Sequence, residues 1–360
     1  MDDALQDKEY IETLRKKIDE APDIIDNYRE LANIYVAGGD FDSALFVYNK
    51  MLNVFADDVQ ALINSGSIYF YKKDFEKAIA LYLKAASIDT ENASIQYNLG
   101  NVYAEIGNFI NALKYYKKAI ELGPENGAVY SAIGMLYQDK NDLKGAKANY
   151  KKAVELEPEN GEYYIYLANI YQKEGDFEKA VENYKKALEF NGDDFKALLS
   201  LANTYASAGI EEKAVECFEA AVKIAPENYS AWLCFAITLA DNNNIDKAIE
   251  LYERAIEIDP MKPNAYILLA NILTNERRYK EAIGLYKQAI KLVGADEKKG
   301  RRVLFVFIAN AYMLLEDINN AITYYRMALR ESPENNEIRL IYVEIMNEYI
   351  SRKIKEANRA

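Results

Sequence analysis

The 360-residue chain is half apolar by residue count, carries 57 acidic against 44 basic side chains for a net charge of −13, and contains no histidine. The charge argues against general binding to nucleic acid or anionic lipid. The missing imidazole excludes Ser-His-Asp and Cys-His nucleophile systems, together with His-containing zinc and haem sites.

The chain starts Met1-Asp2-Asp3-Ala4, with no basic stretch followed by an apolar one, and its longest apolar run lies near Val303–Ala309. Neither a signal peptide nor a membrane span is expected, and a cytoplasmic location follows. Residues 1–24 read as a flanking helix, with Tyr10 and Leu14 at helical spacing. From residue 25 to 335 a period of 34 governs the chain. Alanine recurs at Ala44, Ala78, Ala112, Ala146, Ala180, Ala214, Ala248 and Ala282, then at Ala321 after a slip of five residues around 295–302. Four residues beyond each alanine stands an aromatic: Tyr48, Tyr82, Tyr116, Tyr150, Tyr184, Phe218, Tyr252, Tyr286 and Tyr325. Three further on come Met51, Ala85, Ala119, Ala153, Ala187, Ala221, Ala255, Ala289 and Ala328. Steps of four and three put the three rows on one helix face.

With the first alanine at slot 20 of each unit, the preceding half shows its own helical set at slots 4, 7, 8 and 11, as in Tyr130, Ile133, Gly134 and Tyr137. Slot 15 is Gly39, Gly107, Gly175 and Gly209, or Asn141 and Asn243, the types that accept a left-handed backbone after a helix. Slot 16 supplies N-caps such as Asp40, Asp74, Asn108, Asp142, Asp176, Asn244 and Asp317. Six of the seven prolines fall at slot 32, and slot 34 again carries a capping residue, as at Asp58 and Asn160. Each unit therefore reads helix, turn, helix, turn, and residues 336–360 read as a capping helix with Ile338, Tyr342, Ile345 and Tyr349 on one face.

This W-x-x-L-G-x-x-Y, A-x-x-x-F/Y-x-x-A, P pattern resembles the tetratricopeptide repeat, with about nine copies across residues 25–335. Departures are local: Gln96 stands where a large apolar residue is usual, and residues 295–302 are inserted. The resemblance implies an all-α, right-handed superhelical solenoid whose first helices line a concave groove through slots 2, 5, 9, 12 and 13. Slot 5 is then mostly apolar, with Ile63, Tyr97, Ile165, Leu199, Leu233 and Ile267, while slot 9 carries Asn33, Asn101, Asn169, Asn203, Asn271 and Asn310. A carboxamide both donates and accepts, so such a row suits the main chain of an extended peptide. The asparagines are expected to point into solvent when the groove is empty, and no folding requirement clearly demands them together with the slot 5 apolars. The alternative is that they belong to the common repeat pattern and only hydrate the groove, while the slot 5 residues pack on adjacent helices.

Family members that hold acidic chaperone tails use a Lys, Asn, Asn, Lys, Arg clamp. Here Arg29, Asn33 and Asn64 begin it, but Ser94 and Asn98 stand where two bases are needed, so chaperone-tail binding is disfavoured. Across the groove slots five acids (Asp26, Glu105, Asp139, Glu162, Asp241) face three bases (Arg29, Lys173, Lys196), and no strong sign is expected. One segment, Arg277–Arg302, holds nine bases against three acids. Its Lys298, Lys299, Arg301 and Arg302 form either a patch for an anionic partner or a complement to the acidic body.

No phosphate-cradling glycine motif occurs, and Asp241–Asn244 lacks the glycine and glutamate of a calcium loop. Cys217 and Cys234 read as thiols rather than a disulfide. The expectation is a non-enzymatic scaffold without cofactor or metal, a monomer or weak homo-oligomer, which takes a peptide or helix of another protein and neither nucleic acid nor membrane. The alternatives are the regulatory array of a larger, glycosyltransferase-like enzyme and a self-associating assembly factor.

Overall fold

Turn chemistry at slot 15 sets the fold. All nine turns adopt positive φ there, at Gly39, Gly107, Gly175, Gly209, Asn141 and Asn243, and also at Lys73, Arg277 and Glu316, where φ is 60–62°. A left-handed residue with a Cβ is strained by about 1–2 kcal/mol, so these three positions hold the conformation against their own preference. What they gain is the reversal that lets two helices pack antiparallel.

The computed structural model describes residues 2–358; Met1, Arg359 and Ala360, which fall in the flanking segments assigned above, lie outside the described residues. The chain divides into two compact units, residues 1–174 and 175–360. The first holds α1 (Asp2–Glu20), α2 (Ile25–Ala37), α3 (Phe41–Val54), α4 (Val59–Tyr71), α5 (Phe75–Ile88), α6 (Ala93–Glu105), α7 (Phe109–Leu122), α8 (Gly127–Asp139), α9 (Leu143–Leu156) and α10 (Gly161–Glu174). The second holds α11 (Phe177–Phe190), α12 (Phe195–Ser207), α13 (Glu211–Ile224), α14 (Tyr229–Asp241), α15 (Ile245–Ile258), α16 (Pro263–Asn275), α17 (Tyr279–Leu292), α18 (Lys298–Leu314), α19 (Ile318–Glu331) and α20 (Asn336–Ala357). Among the described residues there is no strand, and within each unit every helix packs on its neighbours in sequence, as in a solenoid.

The lattice is the core. Every alanine and aromatic of the three rows is buried, with the alanines at 3% exposure or less. Small residues at slot 8 let the rings approach: a Cβ built on Gly66, Gly100 or Gly134 would lie 2.4–2.7 Å from Tyr82, Tyr116 or Tyr150. Caps close the helices as the sequence indicates, for example Asp40 to Ser43, Asp142 to Gly145 and Asp317 to Asn320. Asn244 is an exception, since its side chain makes no cap bond and α15 relies on Asp246 in its first turn.

Gln96 is fully buried, and neither carboxamide atom has a hydrogen-bond partner. The inserted residues do not form a loop throughout, because Lys298–Arg301 add a turn to the front of α18. Ile338 and Ile345 of α20 pack against Phe305, Tyr325 and Ala328. The other side of α20 stays open, with Leu340, Val343, Ile350 and Ile354 exposed.

Candidate functional site

The slot 9 asparagines lie on the first helix of each pair, and for three of them the structure shows a folding role that the sequence pattern does not announce. The Tyr116 hydroxyl donates to Asn101 Oδ1 at 2.7 Å, Tyr286 donates to Asn271 Oδ1 at 2.6 Å, and Tyr325 donates to Asn310 Oδ1. In repeat 2, where slot 9 is serine, Ser67 meets Tyr82 at 3.0 Å in the same way. Tyr48 instead accepts from Asn64 Nδ2 at 3.0 Å. A buried tyrosine hydroxyl needs a partner, and for Tyr82, Tyr116, Tyr286 and Tyr325 the residue fifteen positions earlier supplies it, while Tyr150 uses Gln138. That offset of fifteen is present in the sequence and is the signal by which the folding role could be found. Repeat 6 has Phe218 without a hydroxyl, so Asn203 receives no such bond there.

The bond fixes each carboxamide at its oxygen. Nδ2 of Asn101, Asn271 and Asn310 has no partner among the described residues, which leaves two N–H donors on an oriented group. Asn98, Asn169 and Asn203 are half-buried, as are Ile63, Ile165, Leu199, Leu233 and Ile267, while Asn33 is exposed. Arg29, which begins the chaperone-tail pattern, is occupied by Asp26 and by Asp58 at 2.9 Å.

The first unit gathers two predicted residues, Tyr97 and Asn101, into one cavity of about 580 Å³ on α4, α6, α7, α8 and α10. Glu105, Asp139 and Glu162 line the same cavity. The sequence count dispersed these acids along the groove; the repeat brings three of the five together. A smaller recess of about 190 Å³ shares Tyr97 and Ala128 with it.

The basic segment is largely used within its own unit. Arg301 Nε donates to Glu331 Oε1 at 3.0 Å, and Arg302 Nη1 donates to Ser332 Oγ at 3.2 Å. Lys298 and Lys299 are exposed on the first turn of α18. Cys217 and Cys234 are free and half-buried, and burial raises both thiol pKa values. Among the described residues no group of His, Cys, Asp and Glu could hold a metal, and no helix is long and apolar enough to cross a membrane.

The family model described as cilia and flagella-associated protein 70 C-terminal domain matches residues 160–360. Tetratricopeptide-repeat models match residues 66–107, 93–126 and 128–160. A solved tetratricopeptide repeat protein from Parabacteroides merdae ATCC 43184 aligns with TM-score 0.52 at 17% identity, over 71% of this chain and 98% of its own. PilF from Pseudomonas aeruginosa aligns with TM-score 0.48 at 20% identity, over 61% of this chain and 97% of its own. YrrB, described as a TPR protein with an unusual peptide-binding site, aligns with TM-score 0.42 at 26% identity, over 51% of this chain and 95% of its own. No curated protein matches at a significant level.

Proposed function

This chain belongs to the tetratricopeptide-repeat family of the cilia and flagella-associated protein 70 C-terminal domain, and on that premise we propose that it is a non-enzymatic scaffold that holds an extended segment of another protein along its first helices. The observation that carries the reading is the tyrosine-anchored carboxamide. Asn101, Asn271 and Asn310 present donors already fixed in direction, so binding a peptide carbonyl orders little that folding has not ordered. Half-buried Ile63, Tyr97, Leu199 and Ile267 beside the row supply apolar recesses for side chains.

Site-specific photocross-linking tests the face directly. p-Benzoylphenylalanine placed at Asn98, Asn203 or Ile267 should capture partner protein in native extract. The same group at Phe46 or Ile110, the 70% and 78% exposed residues of second helices, should not. Cross-links confined to Phe46 and Ile110 would move the binding face to the second helices.

One observation favours self-association as a second reading. The exposed Leu340, Val343, Ile350 and Ile354 of α20 are spaced three, seven and four residues apart, with exposed Asn347 filling the gap. That is a heptad seam with a polar residue at a central inner position, an arrangement that sets partner number in paired helices. Sedimentation velocity should show a dimer that Ile350→Asp dissolves, and a monomer at every concentration would dismiss this reading.

A further inference from the structure

The cavity of the first unit has a chemistry narrower than peptide binding in general. Tyr97 and Tyr116 stand with ring centroids 5.8 Å apart at 40°, and Tyr163 and Tyr166 join them in its wall. Three of the four hydroxyls are already committed: Tyr116 donates to Asn101, Tyr163 to Glu157 at 3.1 Å, and Tyr166 to Glu162. Burial, the largest influence on each, pushes the pKa of Tyr116, Tyr163 and Tyr166 far above the ordinary phenol value. These rings therefore stay neutral and add π faces rather than charge.

Set among them are Glu105, Asp139 and Glu162, and the lining contains no basic residue. Glu105 and Asp139 share slot 13 of successive repeats, so the repeat places them alike on the rim. Neither forms an ion pair among the described residues, and the Glu162 carboxylate accepts only the Tyr166 hydroxyl. A separate observation concerns Ser131. Its side chain lines the cavity at 4% exposure and has no hydrogen-bond partner. That hydroxyl is not sealed from the cavity, so it offers a group entering there one further hydrogen-bonding partner.

Candidate occupants are sorted by these features. An anionic group would meet three uncompensated carboxylates. An apolar side chain would strip water from those carboxylates and return nothing. A bare metal ion finds no group able to hold it. A cation on a hydrocarbon stem satisfies both halves, because its stem and charge lie against aromatic faces while its N–H groups donate to carboxylates. The space suits it as well, since about 580 Å³ exceeds a single side chain and admits the flanking main chain. We propose that this cavity is a receptor for an arginine or lysine side chain on an extended segment of a partner protein, a proposal that rests on the groove reading above.

The test uses fluorescein-labelled, end-capped nonapeptides of serine and glycine with three alternate positions as arginine, glutamine or glutamate. Fluorescence polarisation against the full chain should show the arginine peptide binding at least tenfold tighter than the glutamine peptide, and the glutamate peptide weakest. Glu105→Gln with Asp139→Asn and Glu162→Gln, near-isosteric changes on exposed carboxylates, should remove that preference while leaving the melting temperature close to that of the parent. A Tyr97→Leu variant should weaken the arginine peptide selectively, because it removes the π face and keeps the apolar volume. Equal binding of the three peptides, or an arginine preference that survives the triple neutralisation, overturns the proposal. The cross-linking result decides the groove reading separately, so a groove that cross-links without preferring arginine identifies which of the two has failed.

Discussion

Tyr150→Ala is expected to destabilise the first unit by about 3–5 kcal/mol, the range for removing a buried aromatic ring. Tyr150 is fully buried, lies 5.3 Å from the Tyr166 ring and packs directly beneath Gly134. Tyr150→Phe separates packing from polarity. It deletes only the hydroxyl, whose bond to Gln138 Oε1 is long at 3.3 Å, and should cost at most about 0.5–1.5 kcal/mol. Gly134→Ala approaches the same contact from the other side. Its Cβ would fall 2.6 Å from the Tyr150 ring, and overpacking of this kind costs about 1–3 kcal/mol. Chemical denaturation followed by circular dichroism ranks the three. A Tyr150→Ala midpoint equal to that of the parent would mean that the ring row is not the core.

That row was legible in the sequence because packing in a solenoid repeats with the chain. Each alanine and each aromatic faces the same neighbours one period later, so one structural demand is written nine times. The turns were legible only in part. Gly and Asn at slot 15 announce a left-handed residue, whereas Lys73, Arg277 and Glu316 adopt it without any residue type that signals it. There the surrounding helix pair overrides local preference, and no single-residue reading finds that.

The candidate site divides along similar lines. Asn101, Asn271 and Asn310 were found as a row but misread, because their role depends on a hydroxyl from the other helix of the pair. The acidic cavity was not found. Glu105, Asp139 and Glu162 come from three different first helices, and counting charge along the groove spread them over its whole length. Only stacking successive first helices side by side brings two slot 13 residues of one pair of repeats near a slot 2 residue of the next. Sequence order records their spacing and not that convergence.

Arg301→Ala should destabilise the second unit by about 1.5–3 kcal/mol, the range for a hydrogen bond to a charged group. With Lys147–Glu174, this is one of the two least exposed ion pairs among the described residues. Arg301 and Glu331 side chains are only 27% and 18% exposed, and the guanidinium also lies 5.6 Å from the Phe305 ring centroid. Removing the arginine leaves Glu331 without its cation in a partly desolvated place, which a surface pair would not do. Lys298→Glu with Lys299→Glu should change stability by less than about 0.5 kcal/mol, since both side chains are exposed. The contrast bears on how an anionic partner could be sought at this segment. Reversing all four bases would weaken the support along with the charge, so loss of binding would not by itself report a contact. Reversal of Lys298 and Lys299 alone keeps the Arg301–Glu331 and Arg302–Ser332 bonds and isolates surface charge. A parental melting midpoint for Arg301→Ala would show that the pair is not structural, and the four bases would then again be read as one free patch.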